Sequence, residues 1–187
     1  MTANRTRLII AIALIALASF FWGGESELGR PNQANTDVPD NIDFFLRDAN
    51  ITQYTVAGKP EQQLLSPYVR HFPKQDAIHA DDARMTVFRE QQSPMKVEAA
   101  LAIAKDDNSL VNLINDVVIY DTPASGAVTT LKTEKLDVYP DQQYADTDVD
   151  VEIKQGQDTT HSVGMQAYLD ENRVELNSRV RGLYHVE

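Results

Sequence analysis

The chain of 187 residues contains no cysteine, one tryptophan, eight glycines and four histidines, and it is short of positive charge, with 17 basic residues against 28 acidic ones and a net charge of -11. The missing cysteines exclude a disulfide scaffold and thiol chemistry, and leave the chain free to live in an oxidising compartment. The few glycines form no phosphate-cradling loop and no dinucleotide fingerprint, and no G-x-S-x-G element is present. His71, His79, His161 and His185 stand at none of the spacings that bind zinc. The acidic balance argues against nucleic acid or an anionic membrane face as the main partner, and otherwise serves solubility. No catalytic residue, cofactor or metal is expected.

One long apolar run is present. Residues 8–22 read LIIAIALIALASFFW, with Arg5 and Arg7 before them and Gly23, Gly24 and Glu25 after. The basic flank predicts a cytoplasmic N-terminus over residues 1–7. Residues 8–24 make about 25 Å of helix at 1.5 Å per residue, with Trp22 at the outer interface where amphipathic rings collect. Cleavage after Ala16 and Ala18 as a signal peptide would leave Phe20, Phe21 and Trp22 at a mature N-terminus, so an uncleaved anchor is the favoured reading and a cleaved signal the alternative. Residues 25–40 are polar, carry Pro31 and Pro39 and show no apolar period, which predicts a flexible linker. Residues 41–187 then form one domain large enough to bury its own core.

Within that domain the apolar residues recur with period two. In 145–153, ADTDVDVEI, the acids Asp146, Asp148, Asp150 and Glu152 alternate with Val149, Val151 and Ile153. A calcium loop would need glycine where Val151 stands. Further strands are predicted at 52–56, 63–72, 84–88, 96–104, 117–120, 128–138 and 174–185, separated by glycine, proline and Asx turns; residues 110–114 are ambiguous. The pairs Asp81-Asp82 and Asp106-Asp107 read as turns. Val87, Val117, Val149 and Val180 recur at separations of 30, 32 and 31 residues, which suggests stacked hairpin units, although evenly spaced strands of any sandwich look periodic.

Stacked antiparallel strands in an open roll leave an apolar trough inside and two sheet edges outside. The aromatics Tyr54, Tyr68, Phe72, Phe88 and Tyr120 are candidates to line that trough, with core packing as the competing role. The last strand has few of the usual guards against edge pairing, so strand addition by another β protein is expected there.

The order of short motifs resembles the LptC family, single-pass inner-membrane proteins of the lipopolysaccharide export bridge of Gram-negative bacteria. The carriers are Asp43-Phe44-Phe45-Leu46, Ile51-Thr52-Gln53-Tyr54 with Gly58, the stretch 64–73, Asn115-Asp116-Val117, the stretch 131–140, Asp146-Thr147-Asp148-Val149, Val163-Gly164-Met165 and Val180-Arg181-Gly182-Leu183-Tyr184. The resemblance covers nearly the whole chain. It departs at Asn115, where the family commonly has glycine, and in the alanine-rich strand 97–104, which looks poor in large lining side chains.

The resemblance implies an all-β, open β-jellyroll that accepts lipopolysaccharide from an ABC transporter and passes it to the soluble protein LptA without making or breaking a bond. It implies that Asp43, Phe44, Phe45 and Leu46 meet the permease subunits LptF and LptG, which work with the LptB ATPase, and that Val180, Arg181, Gly182, Leu183 and Tyr184 pair with LptA. Gly164 is implied as a structural glycine. The rival function is a soluble periplasmic lipid carrier or chaperone whose signal peptide is removed. A tethered hydrolase is a third reading that no motif supports.

Overall fold

The computed structural model describes residues 42–89, 92–105, 107, 109–122, 127–171 and 173–185. The apolar run and the linker lie outside the described residues, and no helix among those described is long and apolar enough to cross a membrane.

Nine strands follow one another: β1 (Phe44–Tyr54), β2 (Pro60–Phe72), β3 (Ala77–Arg89), β4 (Gln92–Lys105), β5 (Val111–Asp121), β6 (Thr129–Tyr139), β7 (Tyr144–Gln155), β8 (Asp158–Tyr168) and β9 (Arg173–Leu183). They form a single antiparallel sheet in strictly sequential order, β1 to β9, so each strand pairs with the one next to it in sequence. Extensive backbone contacts join sequential strands only. The expected all-β open sheet is therefore what the chain forms.

Most strands are longer than the alternation alone predicts, although β6 keeps its predicted length and β9 is one residue shorter. Strand β1 begins eight residues before 52, and the Asp81-Asp82 pair lies inside β3 rather than in a turn. Residues 111–114, locally ambiguous, belong to β5, and β8 forms where no strand was expected. The reason is a kink near the middle of the strands. Asp48, Asp82, Asn115, Asp116 and Arg179 all have φ between 42° and 60°, a left-handed conformation that Asn and Asp tolerate best. The ladders shift register beside Asn115 and Asp116, between Thr147 and Asp150, and opposite Arg179. Such bulges bend a strand and sharpen its twist. A run of polar residues in mid-strand thus imitates a turn.

These kinks recur on every second strand, β1, β3, β5, β7 and β9, along one fold line, and they correct the repeat. The equivalent pairs are Asp48-Ala49, Asp82-Ala83, Asp116-Val117, Asp148-Val149 and Arg179-Val180, at separations of 34, 34, 32 and 31 residues. Val117, Val149 and Val180 belong to the repeat; Val87 does not, its place being taken by Ala83. At Asn115 the backbone takes the positive φ of 60° that glycine would adopt most easily.

Two clusters form the core. One gathers Leu64, Val69, Ile78, Ala80 and Ala83 from β2 and β3, and the other Leu113, Val117, Leu136, Val151 and Met165 from β5 to β8. Ala102 packs against both.

Candidate functional site: an apolar trough with two open edges

Residues on both sides of the fold line face a common space. In β3 these are Ile78 and Ala80 before the kink, and Ala83, Met85 and Val87 after it. Cross-strand pairing extends each position into a row, because directly paired residues share a face. One row runs Leu64, Met85, Val97, Ile119 and Leu131; another runs Val69, Ala80, Ala102, Leu113 and Leu136. All of these but Leu131 line a trough of about 190 Å³, open to solvent, whose lining side chains are all aliphatic or methionine. Met85 and Met95 supply unbranched, polarisable groups that adapt to irregular occupants.

The five aromatics nominated from the sequence are absent from the lining. Between Ser66 and Val69 the fold line inserts one residue beyond simple alternation, so Val69 faces the trough and Tyr68 faces away. Tyr68 lies on the outer surface, with the Phe45 ring 5.6 Å from its own and the Arg70 guanidinium 5.1 Å above it. Phe72 packs at 4.4 Å against His79, whose pKa burial lowers, with Arg70 adding to the effect. Tyr120 and Phe88 each follow an inward residue, Ile119 and Val87, and so point outward. Tyr54 ends β1, 59% exposed. The lining residues that the sequence reading passed over are aliphatic. Their signal was the period-two pattern itself, and the alanine-rich strand contributes Val97, Ala99, Ala102 and Ala104. Small residues there widen the trough rather than weaken it.

On the outer face, Asp137 and Asp146 stand directly opposite each other on β6 and β7. Asn112 Nδ2 donates to Asp137 Oδ1 at 2.6 Å, and Lys135 Nζ lies 2.8 Å from Asp137 Oδ2. Burial and the facing Asp137 carboxylate raise the Asp146 pKa.

Strands β1 and β9 bound the sheet, each paired with one neighbour among the described residues. Asp43 precedes β1 and lies with its Oδ1 2.5 Å from His71 Nδ1; Phe44 stacks on the same imidazole at 4.9 Å. Phe45 turns outward beside Tyr68, and Leu46 is exposed. At the opposite end Val180, Leu183 and Tyr184 are exposed by 52, 63 and 67%, while Arg181 and Gly182 pair with His161 and Thr160. The Tyr184 ring lies over Gly182 in the space a Cβ would fill. Gly164, at φ 78°, is packed so that an added Cβ would come within 3.1 Å of Asn177 Cβ. The proposed edge residues therefore lie at the two edges of one sheet, with the trough between.

The sequence matches the family model described as lipopolysaccharide-assembly, LptC-related, over residues 8–185. No curated protein matches it. Among solved structures the chain is similar to LptH, the LptA homologous periplasmic component of the conserved lipopolysaccharide transport device from Pseudomonas aeruginosa, at a TM-score of 0.55 and 11% identity, covering 67% of this chain and 95% of that one. At that identity the likeness concerns the fold, an open antiparallel sheet of jellyroll type. With 178 of its residues spanned by the family model, the chain belongs to the LptC-related lipopolysaccharide-assembly family.

Proposed function

We propose that this chain is the membrane-tethered segment of a lipopolysaccharide bridge. It takes the lipid from the LptF and LptG permease subunits, driven by the LptB ATPase, at the β1 edge, and delivers it to LptA at the β9 edge by strand addition. The carrying observation is the aliphatic trough, lined from Ile51 on β1 to Ala145 on β7, in a sheet whose two edge strands have no second neighbour among the described residues. Acyl chains entering it leave water at about 25 cal/mol per Å² of apolar surface, while the phosphorylated sugars stay outside in solvent. The acidic exterior is then no obstacle. Residues 8–24 hold the domain at the inner membrane, with residues 41–187 in the periplasm, and the chain itself catalyses no reaction and needs no cofactor.

Photo-crosslinking tests this. A crosslinker at Leu64, Ile78 or Leu113 is expected to label lipopolysaccharide when the transporter hydrolyses ATP, while the outward Tyr68 stays unlabelled. Equal labelling inside and outside, or none inside, overturns the trough as the route. Mass spectrometry of the mature protein tests the anchor, which predicts that residues 1–18 are retained.

A further inference from the structure

A row of charges crosses the outer face in the half of the sheet beyond the fold line. Arg84 stands directly opposite Glu98, and Val118 joins that pair to Lys132, which stands opposite Glu152. Glu152 in turn faces His161, and His161 faces Arg181 on β9. The row lies outside because Arg84 and Glu98 adjoin the lining residues Met85 and Val97, and directly paired residues share a face. Opposite charges placed in this way attract, and like charges repel. Both oxygens of Glu152 are taken, Oε1 by Lys154 Nζ at 2.7 Å and Oε2 by His161 Nε2 at 3.7 Å.

Arg181 ends the row without a carboxylate. It is exposed and has no ion pair among the described residues. Its inward neighbour is an imidazole, and Glu152 lies two strands away, about 10 Å at the ordinary strand spacing. On the outward side β9 has no second neighbour among the described residues. Leu183, two positions on and opposite Thr159, is exposed on the same face. Gly182 between them faces the other way, and the Tyr184 ring fills the space of its missing Cβ. The free side of β9 thus presents one unpaired cation and one bare apolar side chain on one face, at a fixed spacing.

We infer that Arg181 sets the register of strand addition at β9: the incoming strand carries an Asp or Glu directly opposite Arg181, and an apolar residue two positions from it opposite Leu183. This rests on the β9 edge being the site of strand addition, and it adds the chemistry by which the edge recognises its strand. A slip of one residue turns that carboxylate to the opposite face, and a slip of two sets it against Leu183. Backbone hydrogen bonds alone would tolerate both slips. An edge charge has a rival role as a guard against any pairing, and the two roles predict opposite effects of removing it.

The test titrates the full chain in detergent with purified LptA. Arg181→Glu is expected to weaken binding about fivefold, through one attraction lost and one repulsion gained. A set of LptA variants, each with one Asp or Glu replaced by Lys, is expected to contain one that restores binding to Arg181→Glu and binds the wild-type chain about fivefold more weakly. That reciprocal swap identifies the paired carboxylate, which a merely structural arginine would not yield. Arg181→Gln is expected to bind that variant and wild-type LptA alike. Binding by Arg181→Glu that is unchanged or tighter makes Arg181 an edge guard and overturns the register, while the β9 interface stands. So does a loss that no lysine variant restores. A wild-type chain that fails to bind LptA overturns the β9 interface itself, and the register with it. Should Arg181→Glu not fold, the lysine variants decide against Arg181→Gln, where one of them loses its deficit if the register is right and none does if it is wrong.

Discussion

Ser66 Oγ donates to the backbone carbonyl of Asp81 at 2.6 Å, from β2 to β3 across the fold line. The same device recurs along the crease. Thr133 Oγ1 donates to the Asp150 carbonyl at 2.9 Å, and Ser178 Oγ to the Val163 carbonyl at 3.1 Å. Ladder pairing lapses at the kinks, and these hydroxyls satisfy carbonyls that would otherwise be left without a partner. Ser66 and Thr133 are buried for that reason. Ser66→Ala or Thr133→Val is therefore expected to destabilise the domain by about 1–3 kcal/mol, read from urea denaturation. An unchanged midpoint would show that the hydroxyls are passive.

Gly164 tests the crease from the other side. Its positive φ and the approach of Asn177 both oppose a side chain. Gly164→Ala is expected to cost about 1–3 kcal/mol, and Asn177→Ala in the same chain, which removes the amide but keeps the Cβ, should recover only part of it, leaving the Cβ contact and the backbone strain. Full recovery would mean that φ contributes nothing.

The kinks also determine how much the sequence discloses. Aliphatic alternation marks β2, β4, β6 and β7 because long stretches of them have one wet and one dry face. It fails for β8, where Thr159, Thr160, His161 and Ser162 place polar groups on both faces, the buried Ser162 serving the backbone rather than an apolar core. The choice of lining residues fails for a related reason. One extra residue at the fold line inverts the faces beyond it, and a single strand carries no mark of where that occurs. Aromatics drew attention as bulky apolar groups, yet a route that a lipid must slide along is built here from aliphatics.

Asp146 gives the pH dependence. Its pKa is raised above the ordinary 3.8 by burial and by Asp137 opposite. In that state the folded protein holds a proton more tightly than the unfolded chain. The contribution to stability is full below the unfolded value and is lost as pH rises through the folded one. Asp146→Asn is expected to raise stability at neutral pH by about 0.2–1 kcal/mol, with no gain under acid conditions, as read from paired denaturation curves. A gain of equal size at both pH values would assign the effect to packing.

Strand β9 presents exposed Val180, Leu183 and Tyr184 along an edge with no second neighbour among the described residues. Removing residues 180–187 is expected to abolish capture of LptA in a pull-down and leave association with the transporter intact. Undiminished LptA capture would move that interface away from β9.

Ala102 offers the sharpest test of passage. It lines the trough between Ala80 and Leu113 and packs against both core clusters, so a ring placed there would obstruct the route midway between the edges. Its methyl group is small and partly exposed to the open trough, which gives Ala102→Phe room without overpacking a closed core. If lipid travels from the β1 edge to the β9 edge, this variant is expected to keep crosslinking at Ile78, on the β1 side, and to lose several-fold at Leu136, on the β9 side. The outward neighbour Ile103→Phe should leave both signals unchanged. A uniform loss at the two positions would point to misfolding or failed loading, and unchanged labelling at Leu136 would mean that the lipid reaches the β9 side without passing Ala102.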